Sequence, residues 1–287
     1  MNGFDTLPIH GEGRAFYEKS ADFRWVDGEV LITVKATPQP SSKYGDTVCV
    51  AGIRMSSTGP EWVRLYPVPF RSLYETQQFQ KYDVLRLRMK PSDKDFRAES
   101  FNPDLLSIKK IGHLKPWKQR HPWISPLTDR WTMCEILEKA RAEGYKSYPS
   151  LAVIRPKDIG NLTIEKGEDW TPEQKKKLAK DIDQGALFGD EKPQRQLQPP
   201  RYKAKYQYRC YSQTCSGHHQ SLIDWELTEF VRRHHQADPD AVARKSIHKR
   251  FFEEMASPSR KPLFFVGNLL ASPLAFNVLG VYRSVSN

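Results

Sequence analysis

The stretch GEVLITVKATP (residues 28–38) is the first of four short runs rich in β-branched and aromatic residues. The other runs are DTVCVAGIRM (46–55), EWVRLYPV (61–68) and YDVLRLRMK (82–90), and clusters of Pro, Gly and Ser separate them. Runs of this length and composition predict β-strands. RMSSTGPEW (54–62) carries the turn residues of a hairpin between the second and third runs. Four such strands predict a small barrel or curled sheet, and periodicity alone does not choose between an OB-like and a PUA-like barrel.

Later segments predict helices and further strands. Thr132 with Glu135, and Thr171 with Gln174, have the spacing of a capping box, which predicts two helix starts. Two more helices are predicted over residues 220–234 and 238–255, and strands over SLAVIRP (150–156), KAKYQYRCY (203–211), PLFFVGNLL (262–270) and FNVLGVYRS (276–284). We therefore expect an α+β fold, with an N-terminal β-rich, barrel-like (OB/PUA-like) region and a C-terminal helix pair with flanking strands.

The segment GDEKPQRQLQPPRYKAKYQYR (189–209) is rich in Pro, Gln and Arg, as linkers often are. It predicts two domains. Residues 1–195 would form a β-rich domain with inserted helices, and residues 196–287 an α+β region carrying a cluster of cysteines and histidines.

Composition limits the class of protein. The chain has 287 residues, of which 38% are hydrophobic, so it can build a core. It contains no run of 18 apolar residues, and MNGFDTLPIHGEGRAF (1–16) lacks the features of a secretion signal, so we expect a cytoplasmic protein without membrane contact. Its four cysteines are too few and too scattered for a disulfide framework, and we expect them to be free or bound to metal.

Charge indicates a nucleic acid partner. The chain has 45 Lys and Arg against 34 Asp and Glu, a net charge of +11, and a basic surface gains counterion release when it neutralises phosphates. Within residues 106–131 basic residues alternate with tryptophans, which can stack on unpaired bases. The alternative is that these tryptophans belong to the core and the cations to a solvated rim. The predicted nucleic-acid-binding residues are Lys115, Lys118, Arg120, Trp117 and Trp123.

The segment RCYSQTCSGHHQSLIDWE (209–226) is a candidate metal site. Thiolates and an imidazole are the ligands that zinc takes in proteins, and Cys210, Cys215 and either His218 or His219 supply three of them. A fourth ligand must come from elsewhere in the chain. The alternative is that the cysteines are small buried hydrophobic residues and that a histidine caps the following helix.

The same segment supports a catalytic hypothesis. If residues 220–234 are helical, Glu226 and His219 lie on one face of the helix, about 10 Å apart by the helix rise. Cys215 would be the nucleophile, activated by a histidine and by the helix N-terminus, and Glu226 the acid or base. Asp224 would point elsewhere, as a structural or hydrogen-bonding residue. Such a centre would make the protein a hydrolase or hydratase acting on a nucleobase or nucleic acid.

Four stretches resemble a bacterial family associated with DNA-modification and phage-defence gene clusters, one of which makes 7-deazaguanine bases in DNA. The stretches are EWVRLYPVPFR (61–71), FQKYD (79–83), CSGHHQSLIDWE (215–226) and FFVGNLLASPLAFNVLGVY (264–282). The resemblance implies DNA rather than RNA as the nucleic acid, and partner proteins encoded in the same gene cluster.

Two hypotheses follow. In the first, the protein acts on DNA in modification or defence through the Cys215, His219 and Glu226 centre. In the second, it is a non-catalytic nucleic-acid-binding module with a structural zinc site. A Walker lysine loop, a GxGxxG turn, an HExxH helix and a PD-(D/E)xK pattern are absent from the sequence, which disfavours nucleotide hydrolysis, dinucleotide binding and the usual protease and nuclease chemistries.

Overall fold

The computed structural model describes residue 19 and residues 22–57, 59–142, 148–179 and 196–283. Residues 1–16 and 189–195, together with Thr58 and Ser284, belong to segments interpreted above and lie outside the described residues. The described chain forms two β-sheets with helices packed mainly on the second, so the predicted α+β class is confirmed.

Seven strands form the first sheet, and five of them close into a barrel. Strand order is β1-β3-β4-β6-β5-β7, β2 adds to β3, and pairing of β1 with β5 closes the barrel. The predicted barrel-like N-terminal region is therefore confirmed, with all four predicted runs as strands. The strands are β1 (Val26–Lys35), β2 (Gln39–Ser41), β3 (Gly45–Ser56), β4 (Gly59–Val68), β5 (Asp83–Pro91), β6 (Ser100–Pro103) and β7 (Lys109–His113).

Strand β1 is buried on both faces, which explains its continuous apolar run. Val30 and Ile32 fill the barrel interior, whereas Leu31 and Val34 face the second sheet. A register shift between Ile32 and Val34 lets two residues of even number point to different faces. Close approach of β1 and β3 depends on Gly52, where a Cβ atom would lie 2.5 Å from Val30 Cγ1.

Six strands form the second sheet, in the order β8-β12-β13-β11-β10-β9. All neighbours pair antiparallel except β11 and β13, which are parallel. One face packs against the helices in a large apolar core that includes Tyr206 and Phe264. The strands are β8 (Leu151–Ile154), β9 (Pro156–Lys166), β10 (Tyr202–Cys210), β11 (His218–Leu222), β12 (Pro262–Leu269) and β13 (Ser272–Arg283).

Five α-helices connect these strands within the described residues. They are α1 (His121–Ile124), α2 (Met133–Ala142), α3 (172–179), α4 (Trp225–His234) and α5 (Asp240–His248), the last continuing as a π-helix over Lys249–Glu254. Both predicted capping boxes are present, with reciprocal bonds between Thr132 and Glu135 and between Thr171 and Gln174. None of the helices in the described residues is long and apolar enough to cross a membrane.

The two sheets pack against each other through a shared core. Leu31 and Ile53 of the barrel meet Phe265 and Leu279 of the second sheet, all with less than 5% of their surface exposed. A buried Arg64 in β4 also donates to the carbonyl oxygen of Ser150, at 3.0 Å. The interface is therefore a packed, hydrogen-bonded part of the protein interior.

Two features differ from the prediction. Strands β8 and β9 pair with β12 and β10, so the predicted boundary at 195/196 runs through the second sheet rather than between the two sheets. Residues 220–222, predicted as the start of a helix over 220–234, belong to strand β11 because they pair with β10, and the helix begins only at Trp225 with Asp224 as its N-cap.

Candidate metal centre

Three cysteines and one histidine converge at one end of the second sheet. Cys210 is the last residue of β10, His218 is the first of β11, and Cys215 lies in the loop between them. This loop folds back through a turn in which Cys215 N donates to Ser212 O, and Gly217 then takes a φ of +114° that favours glycine. Cys134, the second residue of α2, completes the group. Local chain geometry thus positions three of the groups, and helix packing brings the fourth.

The distances within this group match tetrahedral metal coordination. His218 Nε2 lies 3.3 Å from Cys215 Sγ, 3.4 Å from Cys210 Sγ and 3.6 Å from Cys134 Sγ. All four ligand atoms lie within 4.8 Å of one another. In a tetrahedral zinc site, with Zn–S near 2.3 Å and Zn–N near 2.0 Å, a sulfur and a nitrogen are about 3.5 Å apart. The Cys134, Cys210, Cys215 and His218 cluster can therefore hold a metal ion, and its geometry is compatible with zinc.

The surroundings of the cluster favour the metal-binding form of His218 but the protonated form of the Cys134 thiol. Burial lowers the pKa of His218, which keeps its imidazole neutral and able to bind a metal. Burial, together with the neighbouring thiols, raises the pKa of Cys134 to about 12. A positive ion among these sulfurs would reverse that effect, because a coordinated thiol is deprotonated.

The structure brings together only part of the predicted site. Cys210, Cys215 and His218 lie in the cluster, whereas the side chain of His219 is exposed on the opposite face of β11. Adjacent residues of a strand point to opposite faces, so only one of the two histidines can reach the cysteines. Cys134 was missed as a ligand because it is distant in sequence and no spacing pattern connects it to the others.

Glu226, the predicted catalytic carboxylate, belongs to a different group of polar side chains. Its Oε2 lies 3.3 Å from Lys81 Nζ, and Lys81 also contacts the buried carboxylate of Asp224. Asp224 accepts a hydrogen bond from Glu226 N, which agrees with its predicted hydrogen-bonding role. These residues lie where the barrel meets the second sheet. We call the group the seam cluster; its members are Lys81, Tyr82, Arg120, Asp224, Glu226 and Tyr282.

The five predicted nucleic-acid-binding residues divide into two sets. Lys115 and Lys118 are exposed. Trp117 and Trp123 are half-buried and pack against the core between the two sheets, as the core alternative predicts. Arg120 is 9% exposed, and its Nε donates to Leu114 O at 2.7 Å. Sequence alternation could not separate these sets because it does not show which side of a loop faces the interior.

A second basic surface lies on the barrel. Most of its residues lie outside the segment 106–131, which was predicted to bind nucleic acid. Alternate residues of β5 point outward, and β7 pairs alongside with Lys109 opposite Arg86. The exposed ring of Trp25 lies beneath two of the cations, 5.5 Å from the Arg88 guanidinium and 5.3 Å from Lys90 Nζ. We call this surface the basic face; its residues are Arg86, Arg88, Lys90, Lys109 and Lys110. The alternation of Arg and Leu in LRLRMK (85–90) is the sequence signal for it.

The fold and the site define a two-region α+β protein, in which a closed barrel packs on a mixed sheet that carries a Cys3His cluster able to hold a metal ion. The chain belongs to the family described as Domain of unknown function (DUF8757), whose model matches residues 129–287, more than half of the chain. A second model, described as Domain of unknown function (DUF8758), matches residues 26–126. The two matches meet between β7 and β8, where the chain passes from the first sheet to the second. No curated protein matches the chain in sequence.

Proposed function

We propose that the protein is a non-catalytic nucleic-acid-binding module, in which the basic face binds phosphates and the Cys3His cluster holds a structural zinc ion. The observation that carries this proposal is the basic face, where five cations and an exposed tryptophan share one side of the barrel. Cations along two neighbouring strands can follow a phosphate backbone, and an exposed indole offers a stacking surface for an unpaired base.

The charges of the basic face are only partly neutralised. Arg86 pairs with Glu29 at 2.7 Å and Arg88 with Asp104 at 2.5 Å. Lys109 has no ion pair among the described residues, and the same holds for Lys115 and Lys118 in the loop after β7. Lys115 and Lys118 extend the basic face beyond Lys109, and all three lysines are free to exchange counterions for phosphates.

The zinc assignment rests on the number and burial of the ligands. Four protein ligands leave no open coordination position for substrate or water, which is typical of structural zinc sites. Cys210 is 1% exposed and His218 is 8% exposed, so solvent has little access to the ion. The hypothesis of a Cys215 nucleophile is less well supported, because Cys215 is committed to the cluster and His219 faces away from it.

DNA is the nucleic acid that we propose, since the sequence resembles a family associated with bacterial DNA-modification and phage-defence gene clusters. Proteins encoded in such a cluster are the proposed partners, and the cytoplasm is the proposed location. The basic face itself accepts any phosphate backbone, so the choice between DNA and RNA requires direct comparison of the two.

The salt dependence of binding tests the proposal. We expect a triple variant with Ala at Lys109, Lys115 and Lys118 to show a shallower fall of log K with log salt. The magnitude of the slope should decrease by about 2 to 3, because each lysine contributes about 0.7–0.9 to it. The measurement is fluorescence anisotropy on labelled single- and double-stranded DNA, with the matching RNA alongside.

A matched control removes the same charge elsewhere. Lys175, Lys176 and Lys177 are exposed on α3 of the second region, and their change together to Ala should leave the slope as it is in the wild type. Equal slopes for the two triple variants, or no binding to any nucleic acid at low salt, would contradict the proposal.

A further inference from the structure

A group of cations on the second region belongs neither to the segment 106–131 nor to the basic face. Strand β13 ends at Arg283, which pairs with Pro262 at the start of β12, so Lys261 lies beside Arg283. The π-helix after α5 begins with two more cations, and the turn between it and β12 supplies another. We call this group the C-terminal patch; its residues are Lys249, Arg250, Arg260, Lys261 and Arg283.

The π-helix lies close to the end of β13. Arg250 donates to Glu254 Oε2 at 2.9 Å, and this hydrogen bond lowers the pKa of Glu254. The charges of Lys249 and Arg283 lower the same pKa further, so both cations lie near this carboxylate. Residues from the helix and from the strand end therefore form one surface.

The C-terminal patch is exposed and strongly positive. All of its side chains are exposed except that of Arg283, which is half-buried. Glu254 neutralises Arg250, and the other acid of the π-helix, Glu253, pairs with His248 at 3.2 Å. The four remaining cations of the patch form no ion pair within the described residues. A surface with this excess of charge attracts polyanions and gains counterion release when phosphates bind to it.

Trp117 connects the C-terminal patch to the loop after β7. The Arg283 guanidinium lies over the Trp117 ring, 5.7 Å from its centroid. Lys118 is the next residue along the chain, and Lys115 lies in the same loop. Because Lys115 and Lys118 extend the basic face, cations without ion pairs continue from the barrel across this loop to the second region.

The spacing between the basic face and the C-terminal patch is fixed by the packing of the two regions. The regions share an apolar core, and Lys81 of the barrel pairs with Asp224 of the second region. A ligand that contacts both surfaces therefore needs no rearrangement of the protein, and such preorganisation lowers the entropic cost of binding.

We propose that one nucleic acid strand binds the basic face and the C-terminal patch together, passing over the loop that carries Lys115 and Lys118. This inference rests on the proposed function, since the basic face would hold the first part of the strand. Contacts to phosphates position a strand without reading its sequence. A single barrel of the OB type binds about 4–16 nucleotides, so we expect the second region to lengthen the bound segment.

The test uses a triple variant of the C-terminal patch, in which Lys249, Arg260 and Lys261 are changed to Gln. On a labelled oligothymidylate of about 20 nucleotides, longer than one barrel site, the wild type should bind one strand per chain. In the variant the magnitude of the slope of log K against log salt should fall by about 2, because each cation contributes about 0.7 on a single strand. Fluorescence anisotropy measures both the stoichiometry and the slope.

Two controls accompany this variant. The three side chains are exposed, so its melting temperature should equal that of the wild type. The Lys175, Lys176 and Lys177 triple variant removes the same charge from α3 and should keep the wild-type slope on the same strand.

The possible outcomes separate this inference from the proposed function. An unchanged slope in the C-terminal variant, with a shallower slope in the Lys109, Lys115 and Lys118 variant, would overturn the shared path and leave the proposed function standing. Two strands bound per chain would also overturn the shared path, since each surface would then hold its own strand. No binding to any strand at low salt would overturn both proposals.

Discussion

The metal cluster and the seam cluster both concentrate polar groups in the interior, but they connect different parts of the chain. All four members of the metal cluster come from residues 134–218, within the second region. The seam cluster joins Lys81 of the barrel to Asp224 and Glu226 of α4. The first would stabilise one region internally, and the second stabilises the contact between two regions. Their loss should therefore have different consequences.

Loss of the metal cluster should have the largest effect. Cys210→Ser removes a ligand and should lower the free energy of unfolding by on the order of 5 kcal/mol or more, because metal-binding energy is folding energy in structural zinc sites. Elemental analysis should give one zinc per wild-type chain and less in the variant, and thermal unfolding in the presence of a chelator should reproduce the loss.

Cys49→Ser is the control for this experiment. Cys49 is a barrel cysteine that accepts a bond from Arg64 Nη1 at 3.3 Å and lies outside the metal cluster. The control should keep its zinc and most of its stability. Metal-free wild-type protein with unchanged stability in chelator would show that the four groups are only a packed core.

Loss of the Lys81 cation from the seam cluster should lower the free energy of unfolding by a smaller amount, because it affects the interface between the two regions. Lys81→Met leaves the carboxylate of Asp224 buried without its partner, and breaking a buried pair in this way costs about 3–5 kcal/mol. Urea unfolding monitored by tryptophan fluorescence measures the change. Zinc content should stay the same, because no seam residue is a metal ligand.

Arg232→Met is the matched control, since it breaks an exposed pair with Glu229 on the surface of α4. Surface pairs of this type contribute at most about 1 kcal/mol. If the two variants lose equal stability, the seam pair does not hold the two regions together.

Substitution of Asp83, next to the seam cluster, should lower stability by the smallest amount of the three changes, and this loss should depend on pH. Burial raises its pKa, but hydrogen bonds from Gln80 N, His113 and Lys110 outweigh burial and leave the pKa below its ordinary value. A lowered carboxyl pKa contributes stability above the unfolded-state value, near 3.9, and loses it as the pH falls through the folded-state value.

Asp83→Asn should therefore cost about 1–3 kcal/mol at neutral pH, and the difference from wild type should shrink below about pH 4. Urea unfolding at a series of pH values measures this difference. Asp129→Asn, at an exposed pair with Arg155, should show little change at any pH. If the stability difference between Asp83→Asn and the wild type stayed constant as the pH was lowered, it would contradict a lowered pKa for Asp83 in the folded protein.

The sequence by itself determined the features that depend on near neighbours. Short runs of β-branched and aromatic residues between turn residues predicted the barrel strands. The Thr132–Glu135 and Thr171–Gln174 pairs predicted two helix starts, because a capping box closes within one turn. Three of the four metal-cluster residues were also within reach of sequence reasoning, because Cys210, Cys215 and His218 lie on one strand–loop–strand segment.

Only the tertiary structure decided the features that depend on distant partners. Residues 218–222 became a strand because β10 offered backbone hydrogen bonds, and that choice turned His219 away from the cysteines. Cys134 became the fourth metal-cluster residue through the packing of α2, Arg120 was buried on Tyr82, and Lys81 met Asp224 across the interface. The sequence shows the spacing along one segment, whereas these contacts depend on how separate segments pack, which no local pattern records.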